Sequence, residues 1–228
     1  MRKLLFGLLC VVLAGGSFVA LAQDKKPEEP KKEEPKKPDE PKKEDPKPAA
    51  GVTSDLYPLT KGSKWTYTMG QTEVVVKVTE VDPKDGAATL VTEHQGKQVA
   101  SETILVKADG IYRTKINATP ITDAGVKILG LKDGKPTKGE KWPVKAKVGT
   151  SEVSGEFETK DDKIATVKVG ATDYKDVVYV EGPKFTIAGT ETAVKYWFSP
   201  KFGVIKLSYS IGGTESTPLE LKSFEAGK

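Results

Sequence analysis

Cysteine and histidine are almost missing from these 228 residues: there is one of each, Cys10 and His94. A zinc centre takes three or four His, Cys or carboxylate ligands, so no metal or other cofactor is expected. One cysteine excludes an intramolecular disulfide. A Ser-His-Asp triad would have to use His94, which follows Thr92-Glu93 and precedes Gln95-Gly96, a hairpin tip. No Gly-x-Ser-x-Gly elbow is present. Excess charge of one sign is also lacking. Lys and Arg number 36 against 32 Asp and Glu, a net charge of +4. Two of those four, Arg2 and Lys3, belong to the extreme N-terminus. Nothing here builds the basic patch that nucleic acid requires. After residue 22 no long apolar run remains.

The N-terminus is different in kind. Arg2 and Lys3 precede a mostly apolar stretch, residues 4–19, and Ala20-Leu21-Ala22 supplies small residues where a signal peptidase reads. Residues 1–22 therefore read as a secretory signal cut after Ala22, which places the protein in the periplasm or outside the cell. A retained anchor is the rival, but the run is short of the roughly 20 residues a span needs and contains Gly15 and Gly16. Lipidation at Cys10 is a second rival, and Leu9 is the wrong residue before it. Cys10 leaves with the signal.

Residues 24–48 contain only nine Lys, nine Asp or Glu and seven Pro. They repeat with a period of eleven, PEEPKKEEPKK then PDEPKKEDPKP. Such a segment has no apolar surface to bury, and its prolines interrupt every helical run. Residues 23–50 read as a disordered, extended Lys/Glu/Pro linker whose charges cancel. Deleting residues 24–48 is expected to move the melting temperature by no more than about a degree, a few tenths of a kcal/mol. A larger loss in a thermal melt would mean that the segment packs on the domain.

Residues 51–228 read as a single all-β domain. Ile205, Leu207, Tyr209 and Ile211 alternate with Lys206, Ser208 and Ser210, and Val74, Val76 and Val78 alternate with Glu73, Val75 and Lys77. Further β-branched runs fall at 88–91, 103–106, 164–169 and 177–180. Turn signals separate them at 82–86, 95–96, 109–110, 160–162, 170–173 and 212–213. Spacings of roughly 8–12 residues predict antiparallel hairpins closed as a barrel, a half-barrel or a sandwich. Residues 117–131, with Pro120 and Gly125, read as a connection with at most one helical turn.

One motif occurs twice. Lys61-Gly62-Ser63-Lys64-Trp65 returns as Lys138-Gly139-Glu140-Lys141-Trp142, each followed by strand, turn and strand. The pattern predicts two related hairpins, beginning near 61 and 138, that each plant a tryptophan in a shared core. Chance similarity and two equivalent binding positions are the other readings. Trp197 lies between Tyr196 and Phe198 and so faces away from both. Trp65, Trp142 and Trp197 are the candidate ligand contacts. The acidic pairs Asp82/Asp85, Asp161/Asp162 and Asp173/Asp176 read as turn chemistry.

Tyr57-Pro58-Leu59, then Gly62 and Trp65-Thr66-Tyr67, resembles the opening of a class of uncharacterised exported bacterial envelope domains, many from planctomycete-like bacteria. Tyr196-Trp197-Phe198 followed by Gly203-Val204-Ile205-Lys206 resembles their closing strands. Their plan is similar to the lipoprotein-carrier half-barrel, an antiparallel sheet curved around an apolar cavity. The resemblance implies packing motifs and no chemical residues. The expectation is a non-catalytic exported envelope module that binds a lipid, polymer or protein partner. The alternatives are a half-barrel carrier of an apolar ligand and a carboxylate-based hydrolase.

Overall fold

A computed structural model describes residues 54–228. The expected signal (1–22) and the linker (23–50) lie outside the described residues. Every named element among them is a strand: β1 (Lys64–Met69), β2 (Thr72–Val81), β3 (Ala88–His94), β4 (Lys97–Lys107), β5 (Gly110–Ile116), β6 (Thr119–Pro120) and β7 (Val126–Gly130). There follow β8 (Lys141–Val148), β9 (Ser151–Val169), β10 (Thr172–Ile187), β11 (Thr190–Ser199), β12 (Gly203–Ile211), β13 (Thr214–Glu215) and β14 (Leu219–Glu225). All pairings are antiparallel, in the order β6-β5-β4-β3-β2-β1-β14-β12-β11-β10-β9-β8, with β7 on β5 and β13 on β12. The fold is all-β, as the alternation predicts.

The sheet curls into a nearly closed barrel. Its two ends meet where Ile121 bridges Val148 and the Thr122 amide donates to the Lys147 carbonyl at 2.9 Å. The rest of that seam is held by side chains. Trp142 Nε1 donates to the Lys127 carbonyl at 2.9 Å, and the Trp142 ring packs so close to Gly130 that an added Cβ would sit 2.8 Å from it. On β8, Trp142, Val144, Ala146 and Val148 are buried while Lys141, Pro143, Lys145 and Lys147 are exposed. Lysines and a proline on the outer face of a strand at a sheet's end discourage further pairing.

Two sequence readings are corrected. Residues 117–131 contain no helical turn; the apolar run Val126, Ile128, Leu129 forms β7 against β5. Residues 160–162 are not a turn: β9 runs through them for 19 residues. The ladder absorbs the charged stretch with register shifts opposite Val177, Tyr179 and Val180, and a bulge of this kind bends a strand. The far half of the β9–β10 ribbon folds over one end of the barrel. Val169, Tyr174 and Val177 are buried there, and Tyr174 meets Phe202 edge-on at 5.2 Å.

The repeated motif makes the same hydrogen bonds twice. Gly62 N donates to Val78 O at 2.9 Å and Gly139 N to Thr159 O at 2.7 Å. Ser63 N donates to Thr60 O and Glu140 N to Thr137 O. Val78 N donates to Ser63 O and Thr159 N to Glu140 O. Both glycines have left-handed φ, +87° and +80°, which explains why glycine stands at that turn. Trp65 pairs with Val76 and Trp142 with Phe157 in register. The motifs diverge at one position. Ser63 Oγ accepts the Gly227 amide at 3.1 Å, whereas Glu140 Oε2 and Thr159 Oγ1 are buried with no hydrogen-bond partner among the described residues.

Candidate functional site

The barrel interior is not fully filled. A cavity of about 100 Å3 lies inside it, toward the end that carries the turns at Gly70, Gln95-Gly96 and Gly212-Gly213. Its walls come from both halves of the sheet: Val74 and Val76 of β2, Ala100 of β4, Ile116 of β5, Val204 and Leu207 of β12, and Leu219 of β14. Met69 and Thr92 stand at the mouth with Val99, which is 40% exposed. Local irregularities aim these side chains. A register shift between Thr103 and Ile104 lets both Arg113 and Ile116 face inward from β5. A shift between Trp197 and Phe198 does the same for Val204 and Leu207 on β12.

Among the residues lining the cavity only Glu102 and Arg113 carry charge. Arg113 Nε donates to Glu102 Oε2 at 2.5 Å, and the two side chains are 18–19% exposed. Ile128 and four tyrosines, Tyr57, Tyr67, Tyr196 and Tyr209, complete the lining. Burial pushes the hydroxyls of Tyr57 and Tyr67 well above the ordinary phenol range, and the Glu102 charge adds to it. Both stay protonated at any physiological pH. Tyr67 donates to the Val204 carbonyl at 2.8 Å. Tyr57 lies against Gly203, whose added Cβ would stand 2.9 Å from its ring, so the opening and closing motifs touch.

A glycoside-hydrolase pair needs two carboxylates facing one bond. The cavity presents one, already held by an arginine. An apolar pocket with a few convergent polar groups is the general form of a small-molecule site.

No family model and no curated protein matches the chain. Among solved structures it is similar to a protein described as a lipoprotein from Parabacteroides distasonis, at 13% identity and a TM-score of 0.49. It is similar in the same degree to a protein described as exported, with a YmcC-like fold, from Bacteroides fragilis, at 14% identity and a TM-score of 0.49. Each comparison covers 76% of this chain and 100% of the other.

The three tryptophans singled out from the sequence do not line this cavity. Trp65 is fully buried, its Nε1 donating to the Phe202 carbonyl at 2.6 Å and its ring 5.2 Å from Phe224. Trp142 is buried at the seam. Trp197 is half-buried on the outer surface, stacked on Tyr179 at 4.9 Å with Lys206 Nζ 5.7 Å over its ring. His94 sits at the end of β3 with Nδ1 3.2 Å from the Glu73 carbonyl. The Asp82, Asp85 and Asp161 carboxylates each accept a backbone amide two residues on, which is turn and bulge chemistry. A second hollow, of about 550 Å3, lies at the other end among Lys107, Lys135, Asp162, Lys163 and Asp176, where Lys163 Nζ stands 3.6 Å from Asp176 Oδ1.

Sequence reasoning missed Glu102 and Arg113, although a signal was present. Beyond Arg2, Arg113 is the sole arginine; every other basic residue is lysine. Arginine suits a partly buried ion pair because its planar fork is more weakly hydrated than an ammonium.

Proposed function

We propose that this chain is an exported, non-catalytic binding module of the cell envelope, and that it binds through the mouth of its barrel. The signal-like N-terminus supplies the argument for export, and the linker of balanced charge the argument for a domain carried behind a flexible spacer. The observation that carries the binding reading is the Glu102–Arg113 pair set in an otherwise uncharged cavity. A pair of this sort rarely stabilises a fold better than apolar residues of the same size. Its presence on an inner wall is better explained by a ligand.

Volume narrows the reading. An engineered cavity of roughly 150 Å3 admits a benzene. A space of about 100 Å3 is too small for a whole acyl chain, which argues against the lipid-carrier alternative. It suits the tip of a ligand whose remainder stays outside.

Titration calorimetry of the full chain with three six-carbon probes, 1-hexanol, hexanoate and hexylamine, tests the site. At least one should bind saturably, and Ala100→Phe, which fills the cavity, should abolish that binding while the fold is kept. Equal binding by Ala100→Phe, or no binding by wild type, would overturn the reading.

A further inference from the structure

The charge balance of the cavity says what kind of ligand it takes, provided that the cavity is the binding site proposed above. Glu102 and Arg113 neutralise each other inside apolar walls. An anion arriving there would share one guanidinium with a second carboxylate and leave a net negative charge out of water. A cation would compete with Arg113 for Glu102 and leave a net positive one. Either excess is costly in a low-dielectric pocket. A neutral group that both donates and accepts hydrogen bonds adds no charge; it can accept from the guanidinium and donate to the carboxylate. The hydroxyls of Tyr57 and Tyr67, kept protonated, bring no further charge. Toward the mouth, Met69 and Val99 make the wall mainly apolar, and Thr92 is the polar side chain beside them.

We infer that the barrel mouth selects an uncharged amphipathic ligand. Its tip is a hydroxyl or amide that bonds to the Glu102–Arg113 pair, and the stem behind the tip is apolar. The buried part is roughly four to six carbons in size, judged against the cavities that hold a benzene. Arg113, the single arginine of the folded domain, serves as a positioning and specificity residue, giving the site a fixed donor array that lysine would not.

The same three probes decide the matter at pH 7, where hexanoate is an anion and hexylamine a cation. In wild type 1-hexanol should bind at least about tenfold more tightly than either ion, the ratio that 1.4 kcal/mol of charge burial gives. Glu102→Gln removes the carboxylate and leaves the guanidinium, so hexanoate should overtake 1-hexanol. If hexanoate or hexylamine binds wild type most tightly, the inference fails while the cavity site stands. If no probe binds, the site itself fails. The wild-type ranking decides the question even if Glu102→Gln does not fold.

Discussion

Trp65→Ala should destabilise the domain by about 3–5 kcal/mol, the range for emptying a fully buried aromatic site. Trp65 has no exposed surface, and its ring lies between Tyr57 at 5.8 Å and Phe224 at 5.2 Å. Its indole N–H satisfies the Phe202 carbonyl, in the turn between β11 and β12. Truncation therefore opens a void and leaves that acceptor without its donor. Trp142→Ala should cost nearly as much, because Trp142 closes the seam by packing on Gly130 and bonding Lys127. Trp197→Ala should cost clearly less, about 1–2 kcal/mol, since its ring is half-buried outside the barrel against Tyr179. Urea unfolding of the three variants gives the order. Equal losses at all three would mean that the outer face around Trp197 is packed as tightly as the interior.

The ion pair predicts a pattern of another kind. Arg113→Met leaves the Glu102 carboxylate on an apolar wall without its cation. The expected loss is about 2 kcal/mol, below the roughly 3–5 of a fully buried pair because nearly a fifth of each side chain is exposed. Adding Glu102→Leu should return stability to within about 1 kcal/mol of wild type, since two apolar side chains fill the wall without any charge to bury. The double variant should nevertheless lose its preference for the hydroxyl-tipped probe. Stability without selectivity is the signature of a pair present for a ligand. A double variant that stays as unstable as Arg113→Met alone would make the pair structural.

The two predictions mark what the chain makes legible and what it hides. Strand identity was open to reading, because Val74, Val76 and Val78 can face one side of a sheet only in an extended chain. Two tryptophans in equivalent turns could be found because glycine with left-handed φ and an aromatic three residues later is a local signal. The length of β9 was hidden: Lys160-Asp161-Asp162 has turn composition, and only pairing with β10, a tertiary fact, carries the strand through it. β7 was hidden for the same reason, since five residues after Pro120 and Gly125 are strand only because β5 lies beside them. The site was hidden more deeply. Glu102 and Arg113 stand eleven positions apart in strands whose surface charges look alike in sequence. Register and a bulge turn these two inward, and the rarity of arginine in the composition, the one signal present, says nothing of where Arg113 points.

The most direct test of the barrel mouth as the binding site is a methyl NMR titration of the full chain with 1-hexanol. Saturable shifts should concentrate on Val76, Ala100, Ile116 and Leu207, whose side chains line the cavity from four different strands. Shifts centred instead on the outer face around Trp197 and Tyr179, or none at saturating alcohol, would contradict it.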